Sequence, residues 1–352
     1  MIFRQTNNIK QQSGVSLIEL LIAMVIGMLL TAGAIQLFIS NKATYKIENA
    51  LSRLQETGRF VVETMSKEIR MAGYNGCSSR GNITPNVIAN DPPPFSFDNQ
   101  NSVLGFEATG TNAWTPTLSA TMPTVSDGTD VITIQRADEC GASVTGNFLP
   151  TNANVQVNAP NSCGFQQGQV VMITDCVNAD IYGITNTVNN TGPTATLAHS
   201  IGQYNSTNNL AQTYGPDSQI YIMRSTSFYI APDPSSGEPA LWMASWLPNG
   251  DSSHTTADYS LLELAEGVED MQILFGIDNA APDEYADTYV TADAVTDWTT
   301  VRSVRINLLL RSEDRVTEEP RTITFNGATA GGGDNRLRMI YTATVSVRNR
   351  LP

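Results

Sequence analysis

The chain has 352 residues, with 34 acidic against 20 basic side chains and a formal net charge of −14. That length accommodates one large domain or two small ones around a sizeable core. Residues 1–72 hold eight Lys and Arg against five Glu, whereas residues 73–352 hold twelve Arg, no Lys and twenty-nine acids. A surface of that sign repels phosphate backbones, so the larger part has no electrostatic basis for non-specific nucleic-acid binding.

The first fourteen residues include Arg4 and Lys10 and no acid, and they lead into an apolar run from Val15 to Ile39. Basic residues at that end favour the cytoplasmic side of a membrane. The run is long enough to cross a bilayer. Only Glu19 interrupts it with a charge, five positions beyond Gly14. A charge at the bilayer centre costs roughly 2.5–3.5 kcal/mol on insertion scales, so Glu19 needs a partner. A removable secretory signal would end on a small-x-small site. Here Thr31-Ala32-Gly33-Ala34 continues into Ile35, Leu37 and Phe38. A plain signal anchor gives no reason for Glu19.

From Val15 to Ala72 the pattern is helical, with Ala23, Gly27, Ala32, Gly33 and Ala34 permitting close approach of neighbouring helices. No proline interrupts the run, so any local melting falls to Gly27 or Gly33. Beyond Asn41, the residues Ile47, Leu51, Leu54, Gly58, Val61, Met65, Ile69 and Ala72 recur at steps of three and four, which predicts one apolar stripe. Gly73 is placed to end the helix. An unbroken helix of that length would be about 87 Å long. It exceeds any membrane, so its second half has to pack on a folded head.

After Tyr74 the chain turns polar and its apolar residues come in short alternating runs. These predict strands over 131–135, 170–174, 219–223, 227–231, 271–277, 301–311 and 337–348. The stretches 91–94, 278–297 and 328–335 read as loops, and no internal repeat is present. The predicted fold class is α+β, a long helix with an antiparallel sheet wrapped on it.

Gly14-Val15-Ser16-Leu17-Ile18-Glu19 resembles the type IV prepilin class 3 signal. In that family a prepilin peptidase cuts after the glycine and the new terminal residue is N-methylated. The resemblance implies a cut between Gly14 and Val15, N-methylation of Val15, and Glu19 as the fifth mature residue. Family members more often carry Phe where Val15 stands. An α-amino group with a pKa near ~8 is mostly cationic at neutral pH. The Val15 amine of one subunit and the Glu19 carboxylate of a neighbour would then neutralise each other in an apolar bundle.

The four cysteines, Cys77, Cys140, Cys163 and Cys176, would lie in an exported domain, where an even count points to disulfides and allows three connectivities. The sequence-local choice is Cys77–Cys140 with Cys163–Cys176. Zinc is disfavoured, since there is no C-x-x-C pair and only His199 and His254 are available to assist.

A second resemblance rests on Glu56-Thr57-Gly58-Arg59-Phe60, Ile69-Arg70-Met71-Ala72-Gly73-Tyr74, Asp175-Cys176 with Ala179-Asp180-Ile181, Gly267-Val268-Glu269-Asp270, and Arg348-Asn349-Arg350. Their order resembles the PilW group of minor pilins. It implies a pilin-like fold with a leader at 1–14, a transmembrane and fibre-core helix at 15–39, an amphipathic continuation at 40–73 and a β-rich head at 74–352. The implied role is a low-abundance subunit that primes pilus assembly as part of a tip complex. Its implied partners are other minor pilins, the major pilin, the prepilin peptidase, the inner membrane and a tip adhesin. A pseudopilin of a type II secretion system and a pilus-borne adhesin module are the alternatives.

Nothing in the sequence points to an enzyme, a cofactor or a metal. There is no Gly-x-Ser-x-Gly elbow, and Gly331-Gly332-Gly333 lacks the following Lys of a phosphate loop. The acids Asp278, Asp283, Glu284, Asp287, Asp293 and Asp297 lack the order of a calcium loop. Arg302, Arg305, Arg311 and Arg315 form a local basic cluster in sequence, read as a solvated strand face.

Overall fold

Ser16 starts the long helix and Ala72 ends it. The computed structural model describes residues 14–76, 83–90, 102–246, 258–279 and 285–350, so Arg4, Lys10, Cys77, the 91–94 loop, His254, Asp283 and Glu284 lie outside the described residues. The helix α1 runs unbroken over Leu17–Met71, about 82 Å at about 1.5 Å per residue. It passes through Gly27 and Gly33 without a break, and the Thr31 hydroxyl donates back to the Gly27 carbonyl at 2.7 Å.

Only the second half of α1 is packed. Its buried residues are Ala50, Leu54, Gly58, Val61, Met65, Ser66 and Ile69. The predicted stripe holds from Leu54 onward but is corrected at its start, where Ala50 is buried and Leu51 is 38% exposed. Steps of four from Ala50 through Leu54 to Gly58 keep one face inward, and Leu51, turned about 100° away, misses it.

The head strands are β1 (Asn86–Val87), β2 (Val103–Gly110), β3 (Ala113–Thr115), β4 (Val131–Gly146), β5 (Asn154–Asn158) and β6 (Val170–Thr174). Next come β7 (Ala179–Gly183), β8 (Thr194–Ala198), β9 (Gln219–Pro232), β10 (Pro239–Trp246), β11 (Tyr259–Glu266) and β12 (Val268–Ile277). The last are β13 (Thr288–Val290), β14 (Val301–Arg315), β15 (Thr322–Phe325), β16 (Ala328–Gly331) and β17 (Arg336–Ser346). Apart from the parallel pair β1–β7, neighbours are antiparallel.

An eleven-stranded sheet follows the order β1-β7-β6-β9-β4-β2-β3. Its two long strands each serve two partners along one edge. β9 pairs β6 at residues 219–222 and β10 at 226–232. β4 pairs β2 near its start and β5 near its end. A four-stranded sheet, β13-β12-β14-β17, lies against the helix. The main core joins Leu54, Val61, Met65 and Ile69 of α1 to Ile132, Ile134, Phe228 and Ile230 of the large sheet and to Ile273, Phe275, Ile306 and Leu308 of the small one.

Several predicted boundaries change. The two strands expected at 219–223 and 227–231 are one strand, because Ser227 bonds the buried Thr133 hydroxyl at 2.7 Å and Arg224 meets Asp138. The segment read as a loop from Ala328 instead forms β16, paired with β15 across Asn326-Gly327, both at positive φ. Within 278–297, β13 and a short 3-10 turn at Ala292–Ala294 replace part of the expected loop.

The disulfide assignment is corrected as well. Cys140 bonds Cys163, with Cα atoms 4.8 Å apart, because the chain after β5 returns beside the middle of β4. Both sequence-local pairings are therefore excluded. Cys176 is also disulfide-bonded, with its partner outside the described residues.

Gly58 sets how closely the helix approaches the small sheet. A Cβ there would stand 2.5 Å from Cδ2 of Tyr341 and 3.0 Å from Leu310. Overpacking of this kind typically costs about 1–3 kcal/mol, against about 1 kcal/mol gained in helix propensity. Gly58→Ala is expected to lower the thermal midpoint, measured by calorimetry or circular dichroism.

Asp130 is buried, with its two oxygens accepting from Ala108 N at 3.0 Å and Ile273 N at 2.8 Å. Burial pushes its carboxyl up to about 7, with the nearby Glu107 and Asp270 adding to the rise. The folded chain therefore holds a proton that the unfolded chain releases near the ordinary carboxylate value. The stability this supplies is present in acid and is lost as pH rises from about 4 to about 7. Relative to the native protein, Asp130→Asn should gain thermal midpoint between pH 5 and pH 8; a difference that stays constant with pH contradicts this.

Candidate assembly interface

At the start of the helix Ser16 is extended, with φ −74° and ψ 150°, and its hydroxyl accepts from Glu19 N at 3.2 Å. The Glu19 carboxylate reaches back to Ser16 N at 3.3 Å, which completes a capping box. Ser16 three residues before a glutamate is the signature of the box, which gives Glu19 a local partner that the expected pairing with a neighbour's amine does not include. Gly14 and Val15 precede the helix and are exposed.

From Leu17 to Asn49 the helix is almost bare. Leu17 is 78% exposed and Met28 is 70% exposed, and the other large apolar residues of the run stand at about half or more. This segment is long and apolar enough to cross a membrane. Backbone polar groups are satisfied within a helix, which suits it to lipid. A bare apolar rod of roughly 50 Å is not stable in water; it requires lipid or other apolar helices around it. Gly27 and Gly33 have open space where a Cβ would be, so a neighbouring helix can approach there.

The other end of α1 is locked into the head. Gly73 adopts φ +72°, and its N–H donates to the Gln135 carbonyl at 2.9 Å. The Asn349 side chain donates to the Ala72 carbonyl at 3.0 Å. Thus 72–74 and 348–350, motifs far apart in sequence, meet at the helix end, and Asn349 is a cap the sequence reading did not identify. Any pull on the helix is carried into β4 and the C-terminal segment through these bonds.

Next to the small sheet lies a charge network. Arg338, nearly buried, bonds Glu269 at 2.6 and 2.9 Å and Asp334 at 2.7 and 2.8 Å. Arg336 bonds Glu238 at 2.7 Å, and Arg311 reaches both Glu238 and Glu269. Hydrogen bonds from Arg338 hold the Asp334 carboxyl well below the usual carboxylate range. The network fastens β12, β14 and β17 to the turn before β10. It explains the Gly267–Asp270 motif, since Glu269 is a network member and the Gly267 carbonyl accepts from Arg311 N.

The remaining candidates disperse. The basic cluster is neutralised in part: Arg302 pairs with Asp278 at 3.2 Å, Arg305 lies 3.8 Å over the Tyr289 ring, and Arg311 joins the network. Asp287 and Asp297 accept backbone N–H groups, and Asp293 accepts the Thr291 hydroxyl. No group of three or more metal-binding side chains is found among the described residues. His199 is fully buried beside Tyr182, with ring centroids 4.8 Å apart, and burial pushes its pKa down.

Two family models match the chain. Residues 9–35 match the prokaryotic N-terminal methylation motif, and residues 227–349 match type IV pilus-assembly protein W. The second match covers the charge network and Asn349; the Cys140–Cys163 disulfide lies before it. Searches of curated proteins and of solved structures gave no match.

Asn349→Asp keeps the size of the side chain but removes the donor facing the Ala72 carbonyl. It should lower stability by about 1 kcal/mol, read as a shift of the denaturation midpoint. An unchanged midpoint would show that the cap carries no energy.

Proposed function

We propose that the chain is a type IV pilus minor pilin of the pilus-assembly protein W kind, on the matches at 227–349 and 9–35, and we propose a maturation and assembly sequence for its own residues. The precursor sits in the inner membrane through α1, with its head in the periplasm, and later joins the pilus. Prepilin peptidase cuts between Gly14 and Val15, and Val15 is N-methylated. The α-amino group so created pairs with the Glu19 carboxylate of a neighbouring subunit. The family is a structural one, and the chain's partners are other pilins and the peptidase that processes it.

The observation that carries this reading is the bare apolar stretch of α1, which begins with one acid and runs without a break into the packed head. Moving that stretch from lipid into a fibre exchanges one apolar surrounding for another, so burial alone gives little drive. The charge pair and the small residues at Gly27 and Gly33 then decide register. We assign the chain to the start of assembly, in a tip complex with other minor pilins, the major pilin and a tip adhesin.

In this reading, Glu19→Gln, which keeps the side-chain acceptor of the capping box, leaves processing intact and reduces incorporation, because the neighbour's amine loses its counter-charge. Removing one partner of a buried pair typically costs about 3–5 kcal/mol. The check is the amount of the variant in sheared pili relative to its amount in the membrane. Incorporation at the native level would contradict the pairing.

A further inference from the structure

We propose that Ser16 is a positioning residue for maturation: its cap fixes where the helix begins and so presents the Gly14–Val15 bond as extended chain. The inference rests on the cut after Gly14 proposed above. Ser16 has β-region dihedrals, its hydroxyl accepts from Glu19 N, and the helix starts only at Leu17. The bond from Leu20 N closes on the Ser16 carbonyl at 3.1 Å, inside the cleaved position. Gly14 and Val15 therefore stand outside the helical ladder.

The sequence upstream explains why this matters. Without the Ser16 hydroxyl, the next residues that cap well are Gly14 and Ser13. A helix started there would draw the Gly14–Val15 peptide into its first turn. Hydrolysis adds water across that amide, leaving a carboxylate on Gly14 and an amine on Val15. An extended segment leaves the amide carbonyl accessible to the peptidase, whereas a helical turn ties it to an N–H four residues on.

Glu19 then has two roles that can be separated. Its part in the capping box needs an acceptor only, which glutamine also supplies. Its pairing with a neighbour's amine needs the negative charge. Glu19→Gln should therefore be processed like the native precursor and still incorporate poorly, whereas Ser16→Ala should be processed slowly and, once mature, keep the charge pair.

The test uses full-length precursor in detergent with prepilin peptidase, following by mass spectrometry the product that begins at Val15. Ser16→Ala should be cleaved about fivefold more slowly, in line with the usual worth of an N-cap, and Ser16→Thr and Ser16→Asn should restore the rate. Carbon chemical shifts of Val15 should be extended in the native precursor and move toward helical values in Ser16→Ala. Cleavage of Ser16→Ala at the native rate, or equal slowing in Ser16→Thr, overturns the role of the cap while leaving the cut itself in place. A native product that begins anywhere other than Val15 overturns the cut, and this inference with it.

Discussion

Everything in this molecule depends on one helix that needs two solvents. From Ala50 onward α1 is part of a protein core; before it, the same helix exposes Leu, Ile, Met and Val on every side. No single environment stabilises both halves. The head keeps its half folded in water, and the other half has to stay in lipid or among similar helices. A membrane precursor and a fibre subunit are the two settings that meet this requirement.

The head is built to hold the helix rather than merely to cover it. Gly58 lets α1 lie against Tyr341 and Leu310, Gly73 turns the chain, and Asn349 and Gln135 bind its last turn to two distant segments. The network of Arg311, Arg336 and Arg338 then joins the small sheet to the large one. Isolated exposed ion pairs contribute little, but here the guanidinium of Arg338 is almost fully enclosed and bidentate on both of its partners. Such pairs add geometric specificity as well as energy.

The helix was legible because its periods are long and its signals local. The Gly14–Glu19 motif, the apolar run and the stripe from Leu54 all follow from spacing. Central strands rich in branched residues, such as Val170–Thr174, were equally clear. What stayed hidden depends on distant partners. Thr226 and Ser227 look polar in sequence, yet they lie in the middle of a buried strand because Thr133 and Ser245 face them. Cys140 reaches Cys163 instead of its expected partner because β5 folds back along β4, a path no spacing rule supplies. Asn349 shows the same limit: an ordinary C-terminal residue becomes a cap only once the chain has closed. The capping box at Ser16 and the Asn326-Gly327 hairpin are different, since both were readable and both were missed.

The most direct test of the two-solvent account places a photocrosslinking amino acid at Ala32, midway along the bare segment. In sheared pili the account predicts adducts to the helices of other pilins, and in membranes adducts to lipid. Pili that contain the chain in normal amount but yield no adduct to another pilin would contradict it.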